Sequence, residues 1–464
     1  MHFKINSSLV LEGIRQEVRS LISECYPDAE IEWESLQGQA FILSMAGDPS
    51  WEESDGPILR FENQIARLVS DSHDKIGDIA RSMGDLPGAK TAYSAGLVIR
   101  KNLAAKDPKN TEWQRDVAVS YNNLGHIARN QGDRAVAKAA YSNGLEIFRN
   151  LATSDPGNTE RQRDLFNCHD RLGDIFLRRK DYPAAKAAYS ASPRIAQILA
   201  ARDPKNTKWQ RDLSVTYNCV GDVARLQSDI PAAKAAYYAG LKVIRFIAAR
   251  EPKNTELQRD LSISHEKLGD LARVQGDFPE AHAAYTASFD IVQTLAGREP
   301  SNMMLQHDLS LCHNKLGNIA RDAGDLASAI AAYRDGLEIA RTLTACEPDK
   351  IRWQIHLCNC YEKIHRAAYR RHDLRLAKAA WHAGHEITLA LSARFPENID
   401  MQRNLAASHW SFAMISEKEG DDEYAKAHYH QSHDILRAIV DAGKYLSPQD
   451  LKHLAMFKKK AGLE

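Results

Sequence analysis

The chain has 464 residues, with 61 Lys and Arg balanced by 61 Asp and Glu. A net charge of zero gives no chain-wide attraction to nucleic acid or to an anionic membrane, so neither is predicted as a partner. Seven cysteines without a disulfide-like spacing are typical of free thiols in a reducing compartment, and no apolar run is long enough to span a membrane. The first residues lack the features of a signal peptide, so a cytoplasmic location is expected.

Residues 1–58 differ in pattern from the rest of the chain. Residues 3–5 predict a short strand, and residues 9–25 predict a helix because their apolar positions recur with a period near 3.6. The alternating stretches IEWES and QAFILSM then predict two further strands. These elements predict a small α/β module of order β-α-β-β.

After the module, one pattern recurs every 48 residues. The segment DPKNTEWQRD at 107–116 returns as DPKNTKWQRD at 203–212. A more divergent copy, DPGNTERQRD, stands halfway between them. Its proline should end a helix, and the Thr-x-x-Gln that follows predicts a capping box at the start of the next helix. We call the residues that stand at the same position in successive periods a column. The proline column is Pro108, Pro156, Pro204, Pro252, Pro300, Pro348 and Pro396.

Each period predicts two helices. A glycine recurs inside the first helix, from Gly77 to Gly317, which suggests that a neighbouring helix packs too closely there for a side chain. An aspartate column beginning at Asp85 is suited to cap the second helix. Within the second helix an alanine and an aromatic residue, such as Ala137 and Tyr141, lie one turn apart on one face.

The stretch YNNLGHIARNQGDRAVAKAAYSNGLEI, residues 121–147, resembles the tetratricopeptide repeat in the spacing of its aromatic, Leu-Gly, alanine and small residues. The resemblance implies an all-α fold, a right-handed α-solenoid of about eight helical hairpins. We predict the module at 1–58, eight 48-residue repeats at 59–443 and a C-terminal capping helix at 444–464. The segment WQRDLSVTYN is also similar to the repeats of bacterial arrays that accompany effector or signalling domains.

The family resemblance also implies which residues line the concave groove. They stand three before, one after and four after the glycine of the first helix, and they are Asn, Asp and Arg side chains suited to hydrogen-bond an extended peptide. An equally weighted alternative is a solvated face of intrahelical Asp–Arg pairs. The predicted groove residues are Asn122, Asn218 and Asn314; Asp174, Asp222, Asp270 and Asn318; and Arg129, Arg225, Arg273 and Arg321.

The sequence carries no recognisable catalytic motif. No phosphate loop, nucleophile elbow or paired CxxC motif occurs, so no catalytic role is predicted. His382 and His385 recur as His430 and His433, but half of each pair falls in a leucine column and half in an exposed column, so neither a metal nor a cofactor is predicted. The predicted function is a scaffold or adaptor that binds a partner protein's peptide or helix, in a bacterial signalling or defence system. The alternative is a sensor that binds a small peptide or metabolite in the groove.

Overall fold

The computed structural model describes residues 55–463, and these form seventeen α-helices and no strand. The predicted eight helical hairpins are confirmed; we call the odd-numbered helices from α1 to α15 first helices and the even-numbered ones second helices. The helices are α1 (Asp55–Ser82), α2 (Leu86–Lys106), α3 (Thr111–Asn130), α4 (Arg134–Ser154), α5 (Thr159–Arg178), α6 (Tyr182–Arg202), α7 (Thr207–Leu226), α8 (Ile230–Arg250), α9 (Thr255–Gln275), α10 (Phe278–Arg298), α11 (Met303–Asp322), α12 (Leu326–Cys346), α13 (Ile351–Arg370), α14 (Leu374–Arg394), α15 (Ile399–Glu419), α16 (Asp422–Asp441) and α17 (Pro448–Ala461).

The chain divides into two compact units, one ending at Trp209 and the other beginning at Gln210. In the first unit, each of the helices α1 to α6 packs against its neighbours in sequence. In the second unit the same is true from α8 onward, and α17 packs on α16. Phe457 of α17 is buried with Ala406, Ala413 and Tyr429, so this short helix covers apolar side chains of the last hairpin.

The predicted α/β module at 1–58 lies outside the described residues up to residue 54. Residues 55–58 begin α1 and are helical. The module itself, and its boundary with the repeats, therefore stay predictions.

The first helices begin differently from the sequence prediction. The cap of α3 is Asn110, whose Oδ1 accepts hydrogen bonds from the backbone amides of Glu112 and Trp113 at 3.2 Å. Thr111 is already helical, so the predicted Thr-x-x-Gln capping box is wrong. The glutamine instead reaches back to the preceding second helix, as where Gln162 Nε2 donates to the carbonyl of Ala152 at 3.0 Å. The predicted aspartate caps of the second helices are confirmed from Asp85 onward.

The glycine column is explained by an aromatic ring of the same hairpin. A Cβ atom placed on Gly125 would lie 2.7 Å from Tyr141 Cε1, and one on Gly269 would lie 2.7 Å from Tyr285 Cδ1. Both tyrosines are 0–1% exposed, so neither ring has room to move away. The predicted close approach is confirmed, and the side chain that approaches is the tyrosine of the second helix.

The repeated Arg-Asp of WQRD joins successive hairpins. Arg115 Nε donates to Asp164 Oδ2 at 2.6 Å, 49 residues further on, and Arg211 pairs in the same way with Asp260. At the end of the array Arg403 reaches Asp450 of α17 at 2.9 Å. We call these pairs the Arg–Asp ladder. They are half-exposed, so each contributes on the order of 1 kcal/mol or less and mainly sets the register between neighbouring first helices.

Candidate functional site

The predicted groove residues occupy one face of the first helices, and most of them hydrogen-bond within the chain. Asn218 Nδ2 donates to Ser264 Oγ at 3.1 Å, and Asn314 Nδ2 lies 3.4 Å from Cys360 Sγ, in each case on the next first helix. Asn122 Oδ1 lies 3.0 Å from Cys168 Sγ in the same way. Asn218 and Asn314 are buried, so this column lies between first helices more than on an open surface.

The aspartate column accepts the hydroxyl protons of the buried tyrosines. Tyr189 donates to Asp174 at 2.6 Å, Tyr237 to Asp222 at 2.7 Å, Tyr285 to Asp270 at 2.5 Å and Tyr333 to Asn318 at 2.9 Å. A lysine of the next first helix then reaches the same acceptor, as where Lys267 Nζ lies 2.6 Å from Asp222 Oδ2. Burial, followed by the nearby Asp270 carboxylate, raises the pKa of Tyr285 far above its usual range, so this hydroxyl stays a donor.

Several side chains of the arginine column also make hydrogen bonds within the chain. Arg273 Nη1 donates to Asp322 Oδ2 at 2.9 Å, and Arg321 Nη2 donates to Asp322 Oδ1 at 2.7 Å. Arg225 hydrogen-bonds the hydroxyl of Tyr237. Arg129 is half-exposed. Burial, followed by the charges of Arg171 and Arg129, lowers the pKa of His126 to about 3. The predicted grip on a partner's carboxylates therefore competes with contacts that already exist within the chain.

An apolar stripe that the sequence analysis did not single out lies on the same helical face. It comprises the residues six before and five after the glycine, which lie within about 40° of the aspartate column around the helix axis. Val215, Leu226 and Val274 are 41%, 39% and 58% exposed, which is unusual for large apolar side chains in a periodic position. The stripe in the second unit consists of Val215, Leu226, Ile263, Val274 and Leu311, and it ends at Asp322, the charged residue five after Gly317.

A pocket opens where the repeat pattern fails, between α13, α14 and α15. Its empty volume is about 530 Å³, counting the open mouth. Exposed polar side chains form the mouth, and buried small or aromatic side chains form the floor. The lining residues are Cys358, Asn359, Glu362, His365, Ala380, Trp381, Gly384, His385, Thr388, Asn404, Ala407, Ser408 and Ser411.

Two substitutions within one hairpin create this pocket. His365 stands in the glycine column, where its Nδ1 lies 3.1 Å from the carbonyl of Ala377. The tyrosine column holds Trp381, whose indole Nε1 donates to the carbonyl of Ser408 in α15 at 2.7 Å. The indole stacks on Phe412 with ring centroids 4.0 Å apart. The aromatic ring has thus left the position that it takes over the glycine in other hairpins.

The Arg–Asp ladder is also interrupted beside the pocket. Where other hairpins carry arginine and aspartate, these carry His307 and His356, whose ring centroids are 4.5 Å apart, and then Ile355 and Asn404. His356 also lies 2.7 Å from Ser310 Oγ. Asn404 is left exposed at the pocket mouth instead of joining the next helix. The sequence signals for the pocket were thus the lost glycine and the lost Arg-Asp pair.

Over the described part of the chain, no three His, Cys, Asp or Glu side chains are grouped to hold a metal ion. His385 instead hydrogen-bonds Ser408 Oγ at 2.9 Å, and His433 Nδ1 lies 3.1 Å from Asp434 Oδ1. No helix between residues 55 and 463 is both long and apolar enough to cross a bilayer.

The fold and the interfaces that recur between hairpins define a repeat protein of stacked helical pairs. A model of the tetratricopeptide repeat matches residues 118–151, within α3 and α4, and residues 312–343, within α11 and α12. The chain therefore carries tetratricopeptide repeats at these two places.

Several solved structures are similar to the chain. The apo form of RapI is 11% identical with a TM-score of 0.47, over 81% of this chain and 99% of that one. BtubC from P. vanneervenii is 17% identical with a TM-score of 0.44, over 56% and 92%. A tetratricopeptide repeat protein from Parabacteroides merdae is 14% identical with a TM-score of 0.38, over 69% and 93%. No curated protein is significantly similar to the chain in sequence.

Proposed function

We propose that the protein is an interaction scaffold, and that the first-helix face of the second unit binds a peptide or helix of a partner protein. The observation that carries this proposal is the apolar stripe. It has two side chains on each of α7 and α9 and one on α11, of which Val215, Leu226 and Val274 are exposed. They stand on a face whose polar groups are largely satisfied within the chain. Exposed apolar side chains in register favour a partner with a matching apolar row.

The energetics favour a segment rather than a globular domain. Covering each of Val215, Leu226 and Val274 contributes roughly 1 kcal/mol, since about half of each side chain is exposed already. The polar neighbours would set orientation instead. Half-exposed arginines such as Arg225 can still reach outward, whereas Asn218 Oδ1 and Asn314 Oδ1 are buried.

The cellular compartment, the lack of catalytic activity and the class of partner belong to the same proposal. We place the protein in a reducing, cytoplasmic compartment, because all six cysteines of the described residues are free thiols. We expect no catalytic activity and no nucleic-acid or membrane partner. The amino-acid sequence of the repeats favours a bacterial signalling or defence system as the pathway.

The role of the stripe is tested by replacing its apolar side chains with charged ones. The tagged protein is used to capture a partner from host lysate, and the affinity of the purified pair is then measured by calorimetry. Val215→Asp and Val274→Asp are each expected to weaken binding about 10-fold or more, because a carboxylate would be desolvated in the contact. Phe246→Asp is the matched control, since Phe246 is 57% exposed on the second helix α8. Equal weakening by all three variants, or by none, would contradict the assignment of the face.

A second candidate function is a sensor for a small molecule, and the pocket between α13, α14 and α15 is the observation that favours it. In this case the protein purified from its host would carry a bound compound, visible by native mass spectrometry. Val215→Asp would leave that compound in place, whereas a substitution in the pocket would remove it. The two candidate functions therefore give opposite results with the same variants.

A further inference from the structure

The pocket has an unusual balance of charge. Among the residues that line it, Glu362 is the one group that is charged at neutral pH. His365 and His385 also line it, but burial lowers the pKa of both, so they are neutral there. The pocket thus carries a single carboxylate and no lining cation.

The remaining polar groups at the mouth supply hydrogen-bond acceptors. In the described part of the chain, the side chains of Asn359, Asn404 and Ser411 make no hydrogen bond, and Asn359 and Asn404 are exposed on α13 and α15. Each can turn an oxygen toward a bound ammonium or guanidinium group. A cation placed here would meet one charged and several neutral acceptors.

The floor suits an apolar stem. The buried residues Ala380, Trp381 and Gly384 line it, and the exposed Ala407 lines it as well. Lysine and arginine side chains have this construction, with methylene groups that pack on apolar surface and a charged end that stays near water.

We propose that this pocket binds an alkylammonium or alkylguanidinium group, namely a lysine or arginine side chain of the partner segment. The proposal rests on the proposed function, because it treats the pocket as an anchor on the binding face. Asn359 follows Leu311 by one repeat period, so the pocket continues the apolar stripe by one hairpin. A segment lying along the stripe therefore reaches it with its next basic residue. A free amine has the same chemistry, and the experiment separates the two sources.

One group within the chain competes for the carboxylate. Arg366 Nη2 lies 2.5 Å from Glu362 Oε1, but the two side chains are 61% and 46% exposed. An exposed pair of this kind contributes only about 0–1 kcal/mol, so a bound cation can displace Arg366. Removing this arginine should therefore strengthen binding, which is the reverse of what a carboxylate-binding groove would show.

The test uses capped peptides of five residues with lysine, arginine or norleucine between alanines, and n-pentylammonium chloride as the free amine. Binding to the full chain is followed by NMR on protein labelled with ¹⁵N in tryptophan, where the Trp381 indole reports on the pocket. The lysine and arginine peptides are expected to bind about 10-fold more tightly than the norleucine peptide. Glu362→Gln should remove that preference, and Arg366→Ala should strengthen binding of the basic peptides several-fold.

Glu338→Gln is the matched control, because Glu338 forms a comparable exposed pair with Arg341 on the second helix α12 and should leave the preference unchanged. Tighter binding of pentylammonium than of the basic peptides would keep the cation site and identify a free amine as its source. Equal binding of the norleucine peptide, an unchanged preference in Glu362→Gln, or no shift of the Trp381 signal up to about 10 mM probe would overturn the proposal. The stripe variants Val215→Asp and Val274→Asp would still decide the scaffold function independently.

Discussion

Replacing Tyr285 with alanine is expected to lower the free energy of unfolding of the second unit by about 3–5 kcal/mol. The ring is 1% exposed, lies on the backbone of Gly269 and donates its hydroxyl proton to Asp270 at 2.5 Å. The substitution therefore opens a cavity and removes the tyrosine hydrogen bond to Asp270, whose carboxylate keeps its contact with Lys315. Urea titration followed by hydrogen exchange of peptides from α9 and α10 measures the loss at the hairpin where it arises.

The glycine under the ring gives the control for this prediction. Gly269→Ala should destabilise by about 1–3 kcal/mol through overpacking, although alanine normally favours a helix by about 1 kcal/mol over glycine. Gly297→Ala should instead stabilise, because a Cβ at Gly297 meets no atom within 4 Å. In the double variant Gly269→Ala/Tyr285→Ala, the methyl group occupies space that the ring vacated, so the two losses should be less than additive. Strict additivity would show that ring and glycine do not depend on each other.

Acidification from pH 7 to pH 5 is expected to lower the free energy of unfolding of the second unit by about 4 kcal/mol through two buried histidines. Burial, with His307 and Arg352 nearby, lowers the pKa of His356 to about 4, and burial, with His385 and His428, lowers that of His409 to about 3. The unfolded chain binds these protons near pH 6.5. Stability is therefore complete above pH 6.5 and is lost as the pH falls from there toward 4, by about 2 kcal/mol per histidine at pH 5.

Substitutions taken from the same repeat columns test the assignment. His409→Tyr follows Tyr361, and His356→Asn follows Asn404, so both residues already occur at these positions in other hairpins. Each variant should show a loss between pH 7 and pH 5 that is smaller by about 2 kcal/mol than in the wild type. His282→Asn, at an exposed position, should leave the pH dependence unchanged. If the two column variants lose as much stability as the wild type, carboxylates and not these histidines control the acid response.

The helical repeat could be predicted from sequence because every local signal recurs in phase. Proline, aspartate and glycine columns fix where helices end, begin and approach one another, and Gly125 with Tyr141 shows that the inferred contact is real. The error at Thr111 arose because asparagine and threonine are adjacent and both can cap a helix. Spacing alone does not tell which of two neighbours takes the cap position.

The binding face was harder to predict for a different reason. Spacing places Asn218, Asp222 and Arg225 on one helical face, but it does not say that Ser264, Lys267 and Tyr237 reach the same atoms from other helices. The pocket required still more, because it depends on the orientation that Trp381 adopts once His365 fills the usual place of a ring. Such cooperative changes between columns become visible only in three dimensions.

The Arg–Asp ladder has a consequence for how such a chain can change in length during evolution. Donor and acceptor stand side by side in one short segment, as in Arg211 and Asp212, so a duplicated unit brings both halves of its own joint. Repeats can be gained or lost by unequal recombination without any new interface having to arise. The His307–His356 contact and the Ile355–Asn404 position are the exceptions, and a unit inserted there would meet a mismatched neighbour. The hairpins around the pocket are thus the part of the array whose copy number is least free to vary.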